Sequence, residues 1–309
     1  MGMIKVDLVP PMQCSKCRRP AIIYQRYSGL HLCRNHFVAD FQAKAKRAIR
    51  THRWLDSGDS IAVAVSGGKD SAALLYFLHE LVSERRDLNF FAVTIDEGIS
   101  GYRDPAIAKK IAEKIGVKHH TFSFRDEFGI TMDEIVRMKG DVLSCSYCGV
   151  LRRRLLNRVA RSLGATRLAL GLNLDDEAQS VLMNTFRGDM ERLMRGDIYR
   201  ESLVQRIKPF LYIPEREVAL YAHLHVEGFV TTGCPYAHNA FRADVRNVLN
   251  DFSWRHPSTR HSLVRLGEEL ASLGNGRGSE PRICPECGEL CGELCRSCQM
   301  LSEVCRNEE

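Results

Sequence analysis

Six consecutive residues, Ser66-Gly67-Gly68-Lys69-Asp70-Ser71, combine the groups that hold a polyphosphate. Adjacent glycines let backbone N–H groups approach an anion closely, a lysine supplies a point charge, and flanking serines supply hydroxyls. An apolar run at 61–65 precedes them and an amphipathic run at 72–81 follows, so the segment reads as strand, tight turn and helix start. That arrangement aims the positive end of a helix and its free N–H groups at one point, where phosphate binds. The spacing is not G-x-x-x-x-G-K-[ST], which excludes the Walker-type loop.

The chain has twelve cysteines, ten of which fall into three sets. Cys14-x₂-Cys17 and, after fifteen residues, Cys33-x₂-His36 form two chelating pairs whose three thiolates and one imidazole match a closed tetrahedral zinc site. In the tail, Cys284-x₂-Cys287 and Cys295-x₂-Cys298 make a four-thiolate zinc ribbon in a segment too small to fold on a core alone. Cys291 and Cys305 receive no role. The third set pairs Cys145 and Cys148 with the distant Cys234. Three thiols make an incomplete tetrahedron with three readings: a [4Fe–4S] cluster with one open iron, a redox disulfide beside a third thiol, or a zinc ion completed by water.

Gly171-Leu172-Asn173-Leu174-Asp175-Asp176-Glu177 is a turn with adjacent carboxylates at a helix start, suited to hold Mg²⁺ against phosphates or to cap the helix. Arg154, Arg158 and Arg161 share one helix face, which reads as an RNA-backbone or ATP contact, or as a solvated surface. Arg18, Arg19, Arg26 and Arg34 surround the first zinc site and read either as RNA contacts or as the basic surface of a structural finger.

These residues need a framework, and 309 residues allow about two domains. Arginine dominates the basic residues, 33 against 11 lysines, for a net charge of +6. Arginine suits bidentate phosphate contact and base stacking, so a polyanionic partner fits. No apolar run of about 18 residues suggests a membrane span, and 1–7 lacks a signal-peptide core, so a cytoplasmic protein without membrane contact is expected. Strand-like runs at 61–65, 90–95, 119–124, 167–171 and 203–207 alternate with helical runs at 71–85, 105–115, 149–163 and 175–186. The alternation predicts an α/β fold, a parallel five-stranded sheet with helices on both faces and ligands beyond the carboxyl ends of the strands. There the phosphate loop, Asp96 and the 171–176 turn converge. Helices are also expected at 37–55, 214–226, 243–255 and 262–273, the last three with packing roles only. The expected divisions are a zinc finger and linker helix at 1–55, the nucleotide domain at 56–272, and a linker with zinc ribbon at 273–309.

Together the phosphate loop, the cysteine sets, Cys-Ser-Tyr-Cys-Gly-Val-Leu-Arg-Arg at 145–153, Val-Leu-Met-Asn-Thr-Phe-Arg-Gly-Asp at 181–189 and Arg-Ile-Lys-Pro-Phe at 206–210 resemble the tRNA 2-thiolation enzymes of the TtuA/NcsA group, within the PP-loop ATP pyrophosphatases. The resemblance implies a transferase that binds ATP and Mg²⁺, adenylates O2 of a tRNA uridine, and replaces the activated oxygen by sulfur. It implies that Ala64, Ser66 to Ser71, Ile95, Arg152, Gly171 and Asp176 bind nucleotide or its Mg²⁺, that Lys69 and Asp70 are catalytic, and that Cys145, Cys148 and Cys234 hold a [4Fe–4S] cluster. Two Zn²⁺ ions, a homodimer, and sulfide or a ubiquitin-like sulfur carrier as donor are further implications. The 181–189 stretch and Ala240-Phe241-Arg242 resemble the branch acting on the anticodon wobble uridine, with the thymine-loop uridine as the alternative. Leu172 stands where the family usually has His. A different adenylating ligase would not need the cysteine triad. A non-catalytic zinc-finger RNA-binding protein would not need Lys69 and Asp70.

Overall fold

The five strand-like runs pair as one parallel sheet, because each is long enough for a strand and too short for a helix that could bury itself. The structure is a computed structural model that describes residues 12–194, 204–239, 241–274, 282–288, 290–291 and 295–305. A hairpin of β1 (Ile23–Gln25) and β2 (Leu30–Leu32) leads into α1 (Arg34–Thr51). The alternating region follows as β3 (Ser60–Ala64), α2 (Lys69–Glu84), β4 (Asn89–Asp96), α3 (Pro105–Ile115), β5 (His119–Ser123), α4 (Phe124–Phe128), α5 (Met132–Lys139), α6 (Ser144–Ser162), β6 (Arg167–Ala169), α7 (Leu174–Phe186), α8 (Met190–Met194) and β7 (Gln205–Ile207). Helices α9 (Glu215–His225), α10 (Phe241–Arg255) and α11 (Thr259–Gly274) come next, then a small hairpin of β8 (Arg282–Ile283) and β9 (Leu290–Cys291), and α12 (Arg296–Cys305).

The sheet order is β5-β4-β3-β6-β7, all parallel. Successive side chains of β3 enter opposite cores: Ile61 and Val63 pack with α2, α3 and α9, while Ala62 packs with α6. A strand buried on both faces must be apolar throughout, which is why it reads as a run and not an alternation. From β3 the chain first builds outward to β4 and later returns on its other side at β6, so the sheet changes direction between β3 and β6, where doubly wound sheets open a ligand crevice.

Several boundaries differ from expectation. Helix α2 starts at Lys69, two residues early, and α6 starts at Ser144 rather than at Gly149. The buried stripe Tyr147, Leu151, Leu155 carries helical periodicity back through the glycine. Cys145 and Cys148 therefore stand one turn apart on a helix. The β1–β2 hairpin and α12 have no counterpart among the expected strands and helices. Of the expected strand at 203–207, Leu203 lies outside the described residues, as does most of the expected linker, since α11 already includes Leu273 and Gly274.

Candidate active site

The phosphate loop joins β3 to α2. Gly67 has φ of 77°, a backbone conformation that favours glycine. Gly68 is the N-cap of α2 and offers no side-chain cap, so the first N–H groups of the helix stay free for an anion. Ser71 closes the loop from within: its Oγ donates to the Gly68 carbonyl at 3.0 Å and accepts from the Ser66 N–H at 3.1 Å. Gly171, after β6, backs onto the same turn, and a Cβ there would meet the Asp70 carbonyl oxygen at 3.0 Å. Ala64 ends β3 just before the loop, and Ile95 lies next to the end of the neighbouring β4.

Lys69 lies between two carboxylates, 2.8 Å from Asp70 Oδ2 and 2.8 Å from Glu215 Oε1. Burial alone would lower its pKa, but the two anions outweigh burial and hold it above the usual lysine value. Burial pushes Asp70 up despite Lys69, and its Oδ1 is buried with no hydrogen-bond partner among the described residues. Asp176 is pushed up to about 6, chiefly by burial, with Asp70 and Glu215 adding repulsion. Two carboxylates under desolvation near a phosphate loop, one with an orphaned oxygen, suit a divalent cation. Asn173 fixes the second, accepting from the N–H groups of Asp175 and Asp176, while Asp176 accepts from the Asn173 N–H at 3.2 Å. Asp175 turns away, 2.6 Å from Arg260 Nε and 2.7 Å from the Glu215 N–H. Leu172 is half-buried and contributes no polar group.

The sheet region and the cysteine triad meet through one loop. The Val230 N–H donates to the Gly67 carbonyl at 2.9 Å, and Cys234 follows four residues later. Opposite it, the first turns of α6 present Cys145, whose Sγ lies 3.8 Å from the Tyr236 carbonyl, and Cys148. Burial pushes the Cys148 thiol up to about 11 against the pull of Arg152, and burial raises Cys234 as well. Arg152 pairs with the buried Glu97 at 3.1 Å beside these thiols. Among the described residues, only the N- and C-terminal sets bring all four ligand atoms within 4.8 Å of one another. The triad is not gathered that closely.

The N-terminal set is close enough to share one metal ion: Cys17 Sγ to Cys33 Sγ is 3.7 Å, and His36 Nδ1 lies 3.3 Å from Cys14 Sγ and 3.5 Å from Cys33 Sγ. In the C-terminal set, Cys287 Sγ and Cys295 Sγ are 3.5 Å apart. Burial raises the Cys14 and Cys284 thiols, but backbone N–H donors outweigh it and leave each at about 6, ready to bind as thiolate. The N-terminal finger contributes Ile23 and Leu32 to the main core. The Cys33→Ser variant, or treatment with a strong chelator, is thus expected to cost on the order of 3 kcal/mol or more. Thermal melting of metal-replete and metal-stripped protein checks this.

Several arginines expected on a nucleic-acid surface have internal partners. Arg26 donates to the Trp254 carbonyl at 2.7 Å and stacks on its ring, and Arg34 donates to the Leu224 carbonyl at 3.2 Å, so both clamp the finger to the helices behind the site. Arg154 donates to Ser297 and Arg158 pairs with Glu127. The expected packing roles of α9, α10 and α11 also need correction. They supply Glu215 to Lys69, Arg246 to Glu215 at 3.3 Å, Arg242 to Asp176 at 3.8 Å and Arg260 to Asp175. Only the position of Glu215 directly after Pro214, at a helix start, marked it in the sequence.

This arrangement defines a PP-loop fold carrying a cysteine triad and two four-ligand clusters able to hold a metal ion. Residues 38–252 match the model of the PP-loop domain family, and 13–38 match the N-terminal LIM domain of the 2-thiouridine synthetase TtuA. The chain belongs to this PP-loop family, in the group that includes NcsA and cytoplasmic tRNA 2-thiolation protein 1. It is 37% identical to the tRNA 2-thiolation protein NcsA of Haloferax volcanii, over 95% of this chain and 99% of the relative. The cytoplasmic tRNA 2-thiolation protein 1 of Caenorhabditis elegans is 36% identical over 94% of this chain and 80% of its own length. Among solved structures, the U34-tRNA thiolase NcsA from Methanococcus maripaludis with its [4Fe-4S] cluster superimposes with a TM-score of 0.83 at 34% identity, covering 96% of this chain and 97% of that one.

Proposed function

We propose that this chain is an ATP-dependent tRNA 2-thiolation enzyme acting at the anticodon wobble uridine. The observation that carries the reading is the joining of the two half-sites: Val230 pairs with the phosphate loop and Cys234 lies four residues on, within about 14 Å by chain reach. A PP-loop enzyme that only adenylates has no need of three convergent thiols beside its phosphates.

In this reading the α2 N-terminus and Lys69 bind the β- and γ-phosphates, and Ala64, Ile95 and Gly171 wall the nucleotide. Asp70 and Asp176 hold Mg²⁺, and Arg152 neutralises charge on the side facing the thiols. With the phosphates so oriented, uridine O2 attacks the α-phosphorus, the bond to the bridging oxygen breaks, and pyrophosphate leaves. A sulfide equivalent then adds at C2 and AMP departs, a far better leaving group than a urea-like oxygen. Cys145, Cys148 and Cys234 would hold the [4Fe–4S] cluster, which supplies an iron free to bind the sulfur. The two knuckles hold Zn²⁺. The relatives named cytoplasmic suggest that compartment for this chain.

The test is thiolation in anaerobically purified protein given ATP, Mg²⁺, sulfide and unmodified tRNA, with modified nucleosides mapped by mass spectrometry. Wild-type protein should yield 2-thiouridine at the wobble position, and Cys234→Ala should yield none. Thiolation confined to the thymine loop would reassign the target. Iron-loaded protein that thiolates only with a ubiquitin-like carrier would reassign the donor. Iron-free protein with no product under any condition would overturn the reading.

A further inference from the structure

The C-terminal knuckle is bound to the helix that carries two of the triad cysteines. Tyr147 sits between Cys145 and Cys148 in sequence, is 4% exposed, and donates through its hydroxyl to Glu303 Oε2 at 3.0 Å. Two turns further along the same face, Arg154 donates to Ser297 Oγ at 3.1 Å and lies 3.6 Å from Cys298 Sγ, itself one of the four knuckle ligands. Beside these tethers, Met300 and Val304 of α12 join Tyr147, Leu151 and Leu155 in one buried cluster. Positions 147, 151, 154 and 155 form a single helical stripe, so α12 lies along α6.

Neither partner is secure alone. Helix α12 has only 10 residues, too few to persist in water by itself, and Cys298 lies in its first turn, where the ion would anchor it. The first turn of α6 has no side-chain cap: the N-cap is Leu143, and Ser144 Oγ is buried without a hydrogen-bond partner among the described residues. Besides the N–H groups of Ser146 and Tyr147, which donate to the Leu143 carbonyl, that turn is held by the packing of Tyr147 with α5 and α12.

We infer that the C-terminal metal knuckle is a positioning device for the cysteine triad. With its ion bound it presses α12 on α6 and fixes the turn presenting Cys145 and Cys148; without the ion, that turn frays. The inference rests on the thiolation reading only for the identity of what the triad holds.

The test compares full-length wild type with Cys284→Ser, which breaks the knuckle, and with Tyr147→Phe, which removes one tether and keeps the ring. Hydrogen exchange of residues 144–150, followed by mass spectrometry in zinc-loaded, cluster-free protein, should speed up about five- to tenfold in each variant, the worth of roughly one hydrogen bond or more. Exchange in α2 and α7 should stay unchanged. After reconstitution with iron and sulfide, loss of the cluster absorbance in air should accelerate by a similar factor. Unchanged exchange at 144–150 in both variants, with faster exchange confined to α12, would overturn the inference. Wild-type protein that takes up no iron would count against the thiolation reading, while the exchange result would still decide this one.

Discussion

The Lys69→Ala variant should form AMP from ATP and tRNA about 10²–10³-fold more slowly than wild type and should make no thiolated product, whereas Cys234→Ala should keep AMP formation within a few-fold and lose thiolation alone. The magnitude is that of removing one preorganised charge aimed at a developing anion. Lys69 is well placed for that task because its ammonium is already fixed, 2.8 Å from Asp70 and 2.8 Å from Glu215. No reorganisation of a floppy side chain is needed when phosphate arrives; the ammonium only exchanges one set of anions for another. Cys234 sits on the far side of the loop, tied to it through the Val230–Gly67 backbone bond and not through any group that touches Lys69. Release of labelled AMP and pyrophosphate, measured beside 2-thiouridine formation, separates the two steps. If Cys234→Ala loses AMP formation as completely as Lys69→Ala, the two half-sites are one, and the assignment of separate adenylation and sulfur-transfer machinery fails.

Glu215 offers a finer check on the same geometry. Its carboxylate holds Lys69 and is itself held by Arg246 at 3.3 Å. The Glu215→Gln variant should free Lys69 to reorient, with a KM for ATP raised several-fold and a smaller loss in kcat, the pattern of weakened ground-state positioning. Steady-state kinetics at saturating tRNA reads this split.

What the sequence disclosed and what it hid divide along one physical line. The phosphate loop, both knuckles and the Cys145–Cys148 pair were legible because their function is fixed by backbone spacing within a few residues: two glycines before a helix, or two thiols a turn apart. The sheet was legible because strands buried on both faces leave unbroken apolar runs, as at Ile61 to Val65. Glu215, Arg246 and Arg260 were not legible, and Arg242 was marked only by the resemblance of its stretch, because α9, α10 and α11 close over the rim from far along the chain and contribute isolated charges without local pattern. The arginine stripe of α6 was legible only as a shared face. Helical spacing puts Arg154 and Arg158 together, but does not show that Arg154 donates to Ser297 of α12 or that Arg158 pairs with Glu127 of α4. Similarly, the glycine at 149 suggested a helix start, while the tertiary packing of Tyr147 extended the helix past it.

Asp176→Asn should make the nucleotide-free protein more stable at pH 7.5 while abolishing Mg²⁺-dependent adenylation. Burial holds Asp176 at about 6, above its ordinary value of 3.8, so the folded state takes up a proton more readily than the unfolded chain. The stability this contributes is fully present below pH 3.8 and is lost as pH rises through about 6. Asparagine keeps the carbonyl oxygen that accepts from the Asn173 N–H and carries no charge at any pH. The variant should therefore match wild type near pH 4 and exceed it by up to roughly 3 kcal/mol at pH 7.5. The opposite ordering should appear with ligand: ATP and Mg²⁺ stabilise wild type by compensating the buried carboxylates, and do so far less in the variant. Chemical denaturation across pH 4 to 8, with and without ATP and Mg²⁺, gives both comparisons. A variant less stable than wild type at pH 7.5 would mean that the 3.8 Å contact with Arg242 outweighs desolvation at this carboxylate. Its charge would then serve the fold rather than the cation.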